Sequence, residues 1–177
     1  QWFTVTNRSK TYVNKILSRI SGEYFKNYEI NKIIRNSNGV KIYYGSESEF
    51  FTYDKVVLAS HADESLKIIS DISDKEKKIL SNFKYKPNKA VIHSDESVMP
   101  KNKNAWCSWN SSLSPDNNEN SSVTYWLNQL QNLKIDKNIF LTINPFYEID
   151  QNKVFNEISF THPYYDENAL QNQTNLK

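Results

Sequence analysis

Few side chains in this sequence belong to the types that usually carry catalysis or bind metals. The 177 residues include three histidines and a single cysteine, Cys107, all far apart. They lack the C-x-x-C and H-x-x-x-H spacings that surround a tetrahedral zinc ion. His93, Ser94 and Asp95 have the side chains of a hydrolytic triad, but strand neighbours point to opposite faces and cannot easily relay a proton. We therefore predict no metal site, and the sequence leaves the catalytic residues open.

Tryptophans form a second distinctive group. Trp106 and Trp109 lie three positions apart in a predicted strand, 105–111, and Trp126 ends the strand expected to pair with it. Alternation along a strand places Trp106 and Trp109 on opposite faces, so one ring is predicted to pack inside and the other to line a cavity. The alternative is that all three rings are core packing. Cys107 shares the face of Trp109 and is predicted to be a buried, inert thiol.

The elements that must position such residues begin with a predicted β-meander. Ile30–Arg35, Val40–Tyr44 and Phe50–Tyr53 are apolar or β-branched runs separated by Gly, Asn and Ser, as hairpin-connected strands require. Val56–Ala59 follows without polar alternation, which favours a strand buried on both faces. The sequence therefore predicts a three-stranded meander that leads into a buried strand.

Small and polar residues follow that predicted buried strand. Ala59, Ser60 and His61 stand at its carboxyl end, where a crevice commonly collects ligands in α/β sheets. Small side chains at this point let a ligand approach the backbone. For His61, the alternative is that it only caps the helix that follows.

The remaining pattern mixes helices and strands. Helices are predicted over Ser9–Ile20 with Ser9 as N-cap, Asp63–Ile69, and Asp71–Phe83, where Ser73 and Glu76 form a capping box. Later elements are predicted as strands Ala90–His93 after Pro87, Ala105–Ser111, Val123–Trp126, Ile139–Ile143 and Val154–Thr161 ending at Pro163, a loop over Ser114–Ser122, and helices Leu127–Leu133 and Asp166–Asn172. This order predicts an α+β fold, with a mixed or antiparallel sheet and flanking helices.

Several short segments occur in one order along the chain and support a family resemblance. They are Gln1–Val5, Ser9–Val13, Val56–Asp63, Asn88–Asp95, Met99-Pro100, Ala105–Asn110, Val123–Asn128 and Leu141–Pro145. Together they resemble the bacterial predicted NAD/FAD-binding proteins of the flavin amine oxidase superfamily. The resemblance extends from Gln1 to about Asp166.

The resemblance implies an FAD cofactor. Ile30 matches the position whose backbone meets the adenine of FAD, while its side chain stays free to pack in the strand. Ala59, Ser60 and His61 match residues close to the flavin. The implied reaction is FAD-dependent oxidation, with hydride transfer from a substrate C–H bond to the flavin.

The resemblance also implies a substrate wall. In this superfamily a sheet of the substrate domain faces the flavin ring, which makes Trp106, Trp109 and Trp126 the candidate substrate-binding residues. Superfamily substrates are amines or unsaturated hydrocarbon chains, and the association of family members with lipid-modifying methyltransferases implies a fatty-acyl or lipid substrate.

The number and spacing of the glycines limit what the resemblance implies for this sequence. A dinucleotide-binding domain places its pyrophosphate on a G-x-G-x-x-G turn, whereas Gly22, Gly39 and Gly45 are the three glycines and lack that spacing. We therefore expect a fragment whose partner is the remainder of the FAD domain. Residues 1–70 would contribute to the FAD-binding domain, 71–165 would form a substrate-domain-like sheet, and 166–177 would be a polar tail or the start of a helix.

Composition limits the partners. A net charge of +2 is too small to indicate a nucleic-acid partner. No apolar run approaches the roughly 20 residues needed to span a bilayer, which predicts no transmembrane segment. The single cysteine fits a reducing compartment, so the expected location is the cytoplasm, with the membrane periphery as the alternative.

A second class of function stays open at this level. The same strands and tryptophans would also suit a non-enzymatic, β-rich binding or interaction module with an aromatic-lined groove. A strand followed by G-x-G-x-x-G in the reading frame before Gln1 would favour the flavoprotein, and a reading frame that starts near Gln1 would favour the module.

We expect purified residues 1–177 to be colourless. Most of the surface that buries a pyrophosphate belongs to a Gly-rich turn and a helix N-terminus, which this sequence lacks. Gel filtration followed by visible absorbance is the measurement. Flavin absorbance that stays with the protein would contradict the expectation.

Overall fold

The computed structural model describes residues 3–46, 48–116 and 120–176 and divides into two compact units. The first unit comprises Gln1–Gly22 and Pro87–Thr161, and the second comprises Glu23–Lys86 and His162–Lys177. This geometric division differs from the predicted functional parts 1–70, 71–165 and 166–177, whose assignment stays a prediction. The parts of the predicted segments that fall on Gln1, Trp2, Glu47, Asn117, Asn118, Glu119 and Lys177 lie outside the described residues.

The fold class is α+β, as predicted, with antiparallel strand pairs and short helices. The helices and strands are α1 Ser9–Leu17, β1 Ile30–Asn36, β2 Gly39–Tyr44, β3 Phe50–Tyr53, α2 Ala62–Ile68, α3 Asp74–Leu80, β4 Lys84–His93, β5 Trp109–Leu113, β6 Ser121–Trp126, α4 Leu127–Leu130, β7 Phe140–Ile143, β8 Val154–Tyr164 and α5 Glu167–Asn172. The 3₁₀ helices are Glu96–Val98, Lys103–Ala105, Gln151–Lys153 and Gln173–Leu176.

The predicted meander of the second unit is confirmed. Strands β1, β2 and β3 form a three-stranded antiparallel sheet in chain order. Gly39 enters β2 with φ of 128°, and a Cβ there would lie 2.4 Å from the carbonyl oxygen of Tyr53. Only glycine fits this close approach of β2 to β3. Gly39 is therefore required where the start of β2 lies beside the end of β3.

One predicted strand is wrong, and another is shorter at its start than predicted. Val56–Ala59 is irregular, and the side chain of Val57 is 91% exposed, because no strand of the described residues pairs with this segment. The predicted strand Ala105–Ser111 begins only at Trp109. Asn110 accepts a hydrogen bond from the Cys107 amide and donates one to the Cys107 carbonyl, which bends the backbone before β5.

The ends of three other elements also differ from their predicted positions. Pro87 lies inside β4, but before Ala90, where pairing with β7 begins. Pro163 lies inside β8 at the edge of the five-stranded sheet, where a missing N–H is tolerated. Ser9 is the first residue of α1 and not its N-cap; α1 has no buried residue.

The order of the five-stranded sheet is β5-β6-β7-β4-β8. The register of the sheet places Trp126 opposite Phe140, and Phe140 opposite His93. Two residues further along the strands, Thr124, Thr142 and Val91 lie side by side. The side chains of Thr124, Thr142, Phe140, His93 and Val91 on this face are all at most 2% exposed. The core of the first unit therefore lies on one sheet face and is partly polar.

A charged cluster ties β1 to α3 in the second unit. The Arg35 guanidinium donates to Asp71 Oδ2 at 2.7 Å and to Glu76 Oε2 at 3.0 Å. The predicted capping box is confirmed: Ser73 accepts from the Glu76 amide, and the Glu76 carboxylate accepts from the Ser73 amide. Hydrogen bonds from Arg35 and from Ser73 lower the pKa of Glu76 to about 2.

Replacing Glu76 with Gln should weaken the acid sensitivity of the fold. Because the pKa of Glu76 falls from its ordinary 4.5 to about 2 on folding, its contribution is complete above pH 4.5 and is lost as the pH falls toward 2. We expect Glu76→Gln to lower the free energy of unfolding by about 1 kcal/mol at pH 7, a value reduced for solvent screening. Urea unfolding of wild type and variant between pH 7 and about pH 2 measures this linkage.

Glu64→Gln, an exposed glutamate of α2, is the control and should leave the acid slope as it is. An unchanged acid slope in Glu76→Gln would show that the Glu76 carboxylate does not contribute to the acid sensitivity of the fold.

Candidate functional site

A cleft of the second unit brings together three of the four predicted cofactor residues. Ile30 at the start of β1 and Ala59 and Ser60 after the extended segment line one cavity of about 370 Å³. About thirty positions separate Ile30 from Ala59 in the sequence. We call this cavity the meander cleft. That volume lies at the lower end of the range of small-molecule pockets, and none of the described residues lining it carries a charge.

Aromatic rings form one wall of the meander cleft. Phe25, Tyr28, Phe51 and Tyr53 line it. The rings of Phe25 and Phe51 lie 5.0 Å apart, and Tyr44 stacks on Phe51 at 4.7 Å with 19° between the ring planes. Ring pairs at these distances stabilise one another and present flat apolar surfaces. The wall therefore suits a planar or apolar ligand.

His61, the fourth predicted cofactor residue, does not line the meander cleft. Its ring stacks on Tyr85 at 4.4 Å, and the Tyr85 hydroxyl accepts from the Ala62 amide. Its Nδ1 atom is buried and has no hydrogen-bond partner among the described residues. His61 is the N-cap residue of α2, but its side chain makes no capping hydrogen bond. Its contact with a cofactor stays a prediction.

The first unit has a second cleft, of about 610 Å³, which we call the Trp109 cleft. Trp109, Phe3 and Leu130 supply its apolar surface, and Thr4, Ser108 and Gln129 supply its polar atoms. Trp109 faces the same side of the sheet as its partner Tyr125, with ring centroids 6.2 Å apart. Half of Trp109 is exposed.

Trp106 and Trp126, the other predicted substrate residues, pack against each other. Their rings meet edge to face at 5.3 Å, and Trp106 also contacts the fully buried Phe140 at 5.7 Å. The indole N–H of Trp106 donates to the Pro100 carbonyl, and that of Trp126 donates to Asn138. Neither ring lines the meander cleft or the Trp109 cleft. Trp106 and Trp109 therefore lie in different environments. Alternation along a strand is not the cause, because Trp106 lies outside any strand.

The prediction that Cys107 is buried is wrong. Its thiol is exposed and lines the Trp109 cleft, because the bend made by Asn110 turns this segment outward before β5 begins.

A chain of buried hydroxyl groups, which the sequence did not reveal, crosses the sheet of the first unit. His93 Nε2 lies 2.8 Å from Thr142 Oγ1, which lies 2.9 Å from Thr124 Oγ1, and Thr124 continues to the Tyr147 hydroxyl at 3.2 Å. Burial lowers the pKa of His93. Since its Nδ1 accepts the Asp95 amide proton, the neutral ring has its own proton on Nε2 and donates to Thr142.

Asp95 completes this cluster as a structural anion. Its carboxylate accepts hydrogen bonds from the amides of Asp150 and Ser97 and from the Lys153 ammonium. Burial opposes ionisation, but these hydrogen bonds outweigh it and lower the pKa of Asp95. The Asp95 carboxylate is not the partner of His93, so the segment 93–95 does not form a catalytic triad. The alternating Ser and Thr of β6 were the only feature of the sequence that could have indicated the buried chain of hydroxyl groups.

Clusters of metal ligands and membrane-spanning helices are both absent from the described residues. Among residues 3–46, 48–116 and 120–176, no group of three or more His, Cys, Asp or Glu side chains could hold a metal ion. In the same part of the chain, every helix is too short or too polar to cross a membrane.

Comparisons with known proteins give a likeness of fold. No family model and no curated protein matches the chain. Ten chains of solved structures match it, among them the crystal structure of a CLA-producing fatty acid isomerase from P. acnes. That match has a TM-score of 0.54 and 13% identity over 86% of this chain and 39% of the isomerase. This chain therefore spans about two fifths of that protein, and the likeness shows its fold. Membership of the amine oxidase superfamily stays a prediction.

Replacing Trp106 should destabilise the fold more than replacing Trp109. Trp106→Ala removes two ring contacts and a hydrogen bond, and we expect a loss of about 3 kcal/mol in the free energy of unfolding, the lower end for a core Trp→Ala. Trp109→Ala, at a half-exposed position, should cost less than about 1 kcal/mol. Urea unfolding of both variants measures the difference. Equal losses would mean that both rings serve the core.

Proposed function

We propose that this chain is part of an FAD-dependent oxidoreductase of the amine oxidase type that acts on a fatty-acyl or lipid substrate. One observation carries the proposal. Ile30, Ala59 and Ser60, which the sequence resemblance singles out as cofactor contacts, line one apolar cleft beside an aromatic wall. Their convergence on one cleft is what contacts with a single cofactor would require.

The meander cleft fits the ring systems of FAD better than its phosphates. Flat rings such as adenine pack well on the faces of aromatic side chains, here those of Phe25, Tyr28 and Phe51. The small side chains of Ala59 and Ser60 leave the backbone accessible. A pyrophosphate needs a helix N-terminus or cations, and the described residues lining the cleft include no charged side chain. The phosphates would therefore contact the remainder of the FAD domain, which is the partner proposed for this chain.

When bound, FAD would supply the redox chemistry by accepting a hydride from a substrate C–H bond. The tasks left to this chain are binding, orientation and exclusion of water, which require no acid–base pair near the reacting carbon. This agrees with the absence of an exposed triad at residues 93–95, where His93 and Asp95 are instead committed to structural hydrogen bonds.

Two points support an acyl rather than a small polar substrate. A protein with a similar fold is named a fatty acid isomerase. The Trp109 cleft offers apolar rings and no charge among its described lining residues. A protein of this class would act in the cytoplasm or at the periphery of a membrane, where acyl substrates are found.

The test uses the complete reading frame that contains these residues. We expect its protein to keep flavin through gel filtration, and Ala59→Trp, which fills the meander cleft, to reduce the flavin retained at least about tenfold, equivalent to ~1.4 kcal/mol of binding free energy. Thr52→Trp is the matched control, because it places the same ring on the opposite face of β3 from the lining residues Phe51 and Tyr53.

Two results would count against the proposal. A complete protein without flavin absorbance would favour the non-enzymatic binding module. Equal flavin retention in Ala59→Trp and Thr52→Trp would show that the cofactor binds away from the meander cleft.

A further inference from the structure

We propose that β8, the edge strand of the five-stranded sheet, pairs with β8 of a second copy of this chain in an antiparallel dimer centred on Ser159. The two sheets then form one continuous sheet across a two-fold axis. The residues at the centre of the pairing, Glu157–Thr161, all belong to the first unit. The inference is independent of flavin binding, because it concerns only the edge of this sheet.

The strand β8 differs from the other strands in length and exposure. It is 11 residues long and ends the sheet, with β4 as its one neighbour among the described strands. Every residue from Phe155 to Thr161 is exposed, whereas no other strand of the described residues has more than two exposed residues in succession. Both faces of this stretch and its outer edge are therefore accessible to another strand.

The features that usually protect an edge strand are weak in β8. Sheet edges avoid pairing by being short or by carrying charged residues or proline. Between Phe155 and Thr161 the only charge is that of Glu157, which pairs with Lys89 of β4 at 3.0 Å. Pro163 lies beyond this stretch. The opposite edge of the sheet, β5, is only five residues long, so it has the protection that β8 lacks.

A second copy of the chain is the partner that the side chains of β8 match. Pairing across a two-fold axis perpendicular to the sheet keeps each side chain on its own face, and the residue on the axis fixes the register. With Ser159 on the axis, Ile158 of one copy lies opposite Phe160 of the other, and Glu157 lies opposite Thr161. Ile158 and Phe160 are 49% and 39% exposed, so this register covers apolar surface on both strands. Cross-strand apolar pairs stabilise antiparallel sheets.

Neighbouring registers match less well. With Glu157 on the axis, two carboxylates would lie directly opposite each other, which is unfavourable. With Ile158 on the axis, Phe160 would face the polar side chain of Asn156, and with Phe160 on the axis, Ile158 would face His162. The proposed centre therefore pairs both large apolar residues with apolar partners and keeps like charges apart.

Sedimentation equilibrium measures the association. The experiment uses the protein from the complete reading frame, so that any other segment able to cover β8 is present. We expect a dimer to form between roughly 5 and 500 μM, since one strand pair buries an area at the small end of specific interfaces. Ser159→Lys places two ammonium groups opposite each other and should raise the dissociation constant at least about tenfold. Ser111→Lys, at an exposed serine of the other edge strand, is the matched control and should leave the constant unchanged.

Two results of this measurement would overturn the inference. A protein that stays monomeric over the whole range would show that β8 does not pair with a second copy. Equal dissociation constants for Ser159→Lys and the wild type would show that any dimer forms through another surface.

Disulfide formation tests the register. Residues directly opposite each other in an antiparallel pair have Cα atoms about 4.5–5.5 Å apart, within the reach of a disulfide. In a Cys107→Ser background, which removes the exposed native thiol, Ser159→Cys should therefore form a covalent dimer on oxidation. Thr161→Cys is the control on the same face of the strand, because its two copies would lie four residues apart along the strand, about 13 Å.

Non-reducing electrophoresis compares the covalent dimer formed by the two variants with that of the Cys107→Ser background. We expect cross-linking above the background for Ser159→Cys alone. No cross-linking of Ser159→Cys, or cross-linking of Thr161→Cys to the same extent, would overturn the inference.

Discussion

The pairing register of β6, β7 and β4 is the constraint on which the first unit depends. It aligns Thr124, Thr142 and the ring of His93 on one buried face, where every polar group needs a partner. A slip by one residue would turn these hydroxyl groups to the other face and bring apolar neighbours inward. The polar chain therefore specifies the register more strictly than an apolar core would.

The same register explains why the tryptophans have different environments. Trp126 lies on the buried face opposite Phe140, and Trp106 packs against both rings. Trp109 lies on the other face beside Tyr125 and contributes to a cleft. Thus one sheet separates a stabilising aromatic cluster from an open cleft on its other face. In the second unit, Gly39 and the Arg35 cluster fix the meander in a comparable way, and the cleft with Ile30 forms on it.

Local signals in the sequence were sufficient where one residue or one short motif sets the structure. The Asn-rich turn before Gly39, the Ser73–Glu76 capping box and the end of β7 before Pro145 were all predictable. Prediction failed where the outcome depends on distant partners. Val56–Ala59 is apolar enough for a buried strand, but hydrophobicity alone cannot show whether a neighbouring strand exists to pair with it. The bend at Cys107 depends on the side chain of Asn110, which competes with strand hydrogen bonds.

In the candidate sites, too, some features could be predicted from the sequence and others depend on residues that are distant in the chain. Ile30, Ala59 and Ser60 were predicted as cofactor contacts from the resemblance, whereas their convergence on one cleft depends on the tertiary structure. The His93–Thr142–Thr124 chain links residues of three strands, and no local pattern in one segment announces it.

The most direct measurement of the central claim is a crystal structure of the complete protein purified with its own cofactor. Our account predicts the adenine of FAD in contact with Ile30 and the wall of the meander cleft, with Ala59 and Ser60 beside the cofactor. A bound flavin that touches none of these three residues, or a complete protein that crystallises with the cleft covered by its own side chains and no flavin, would contradict it.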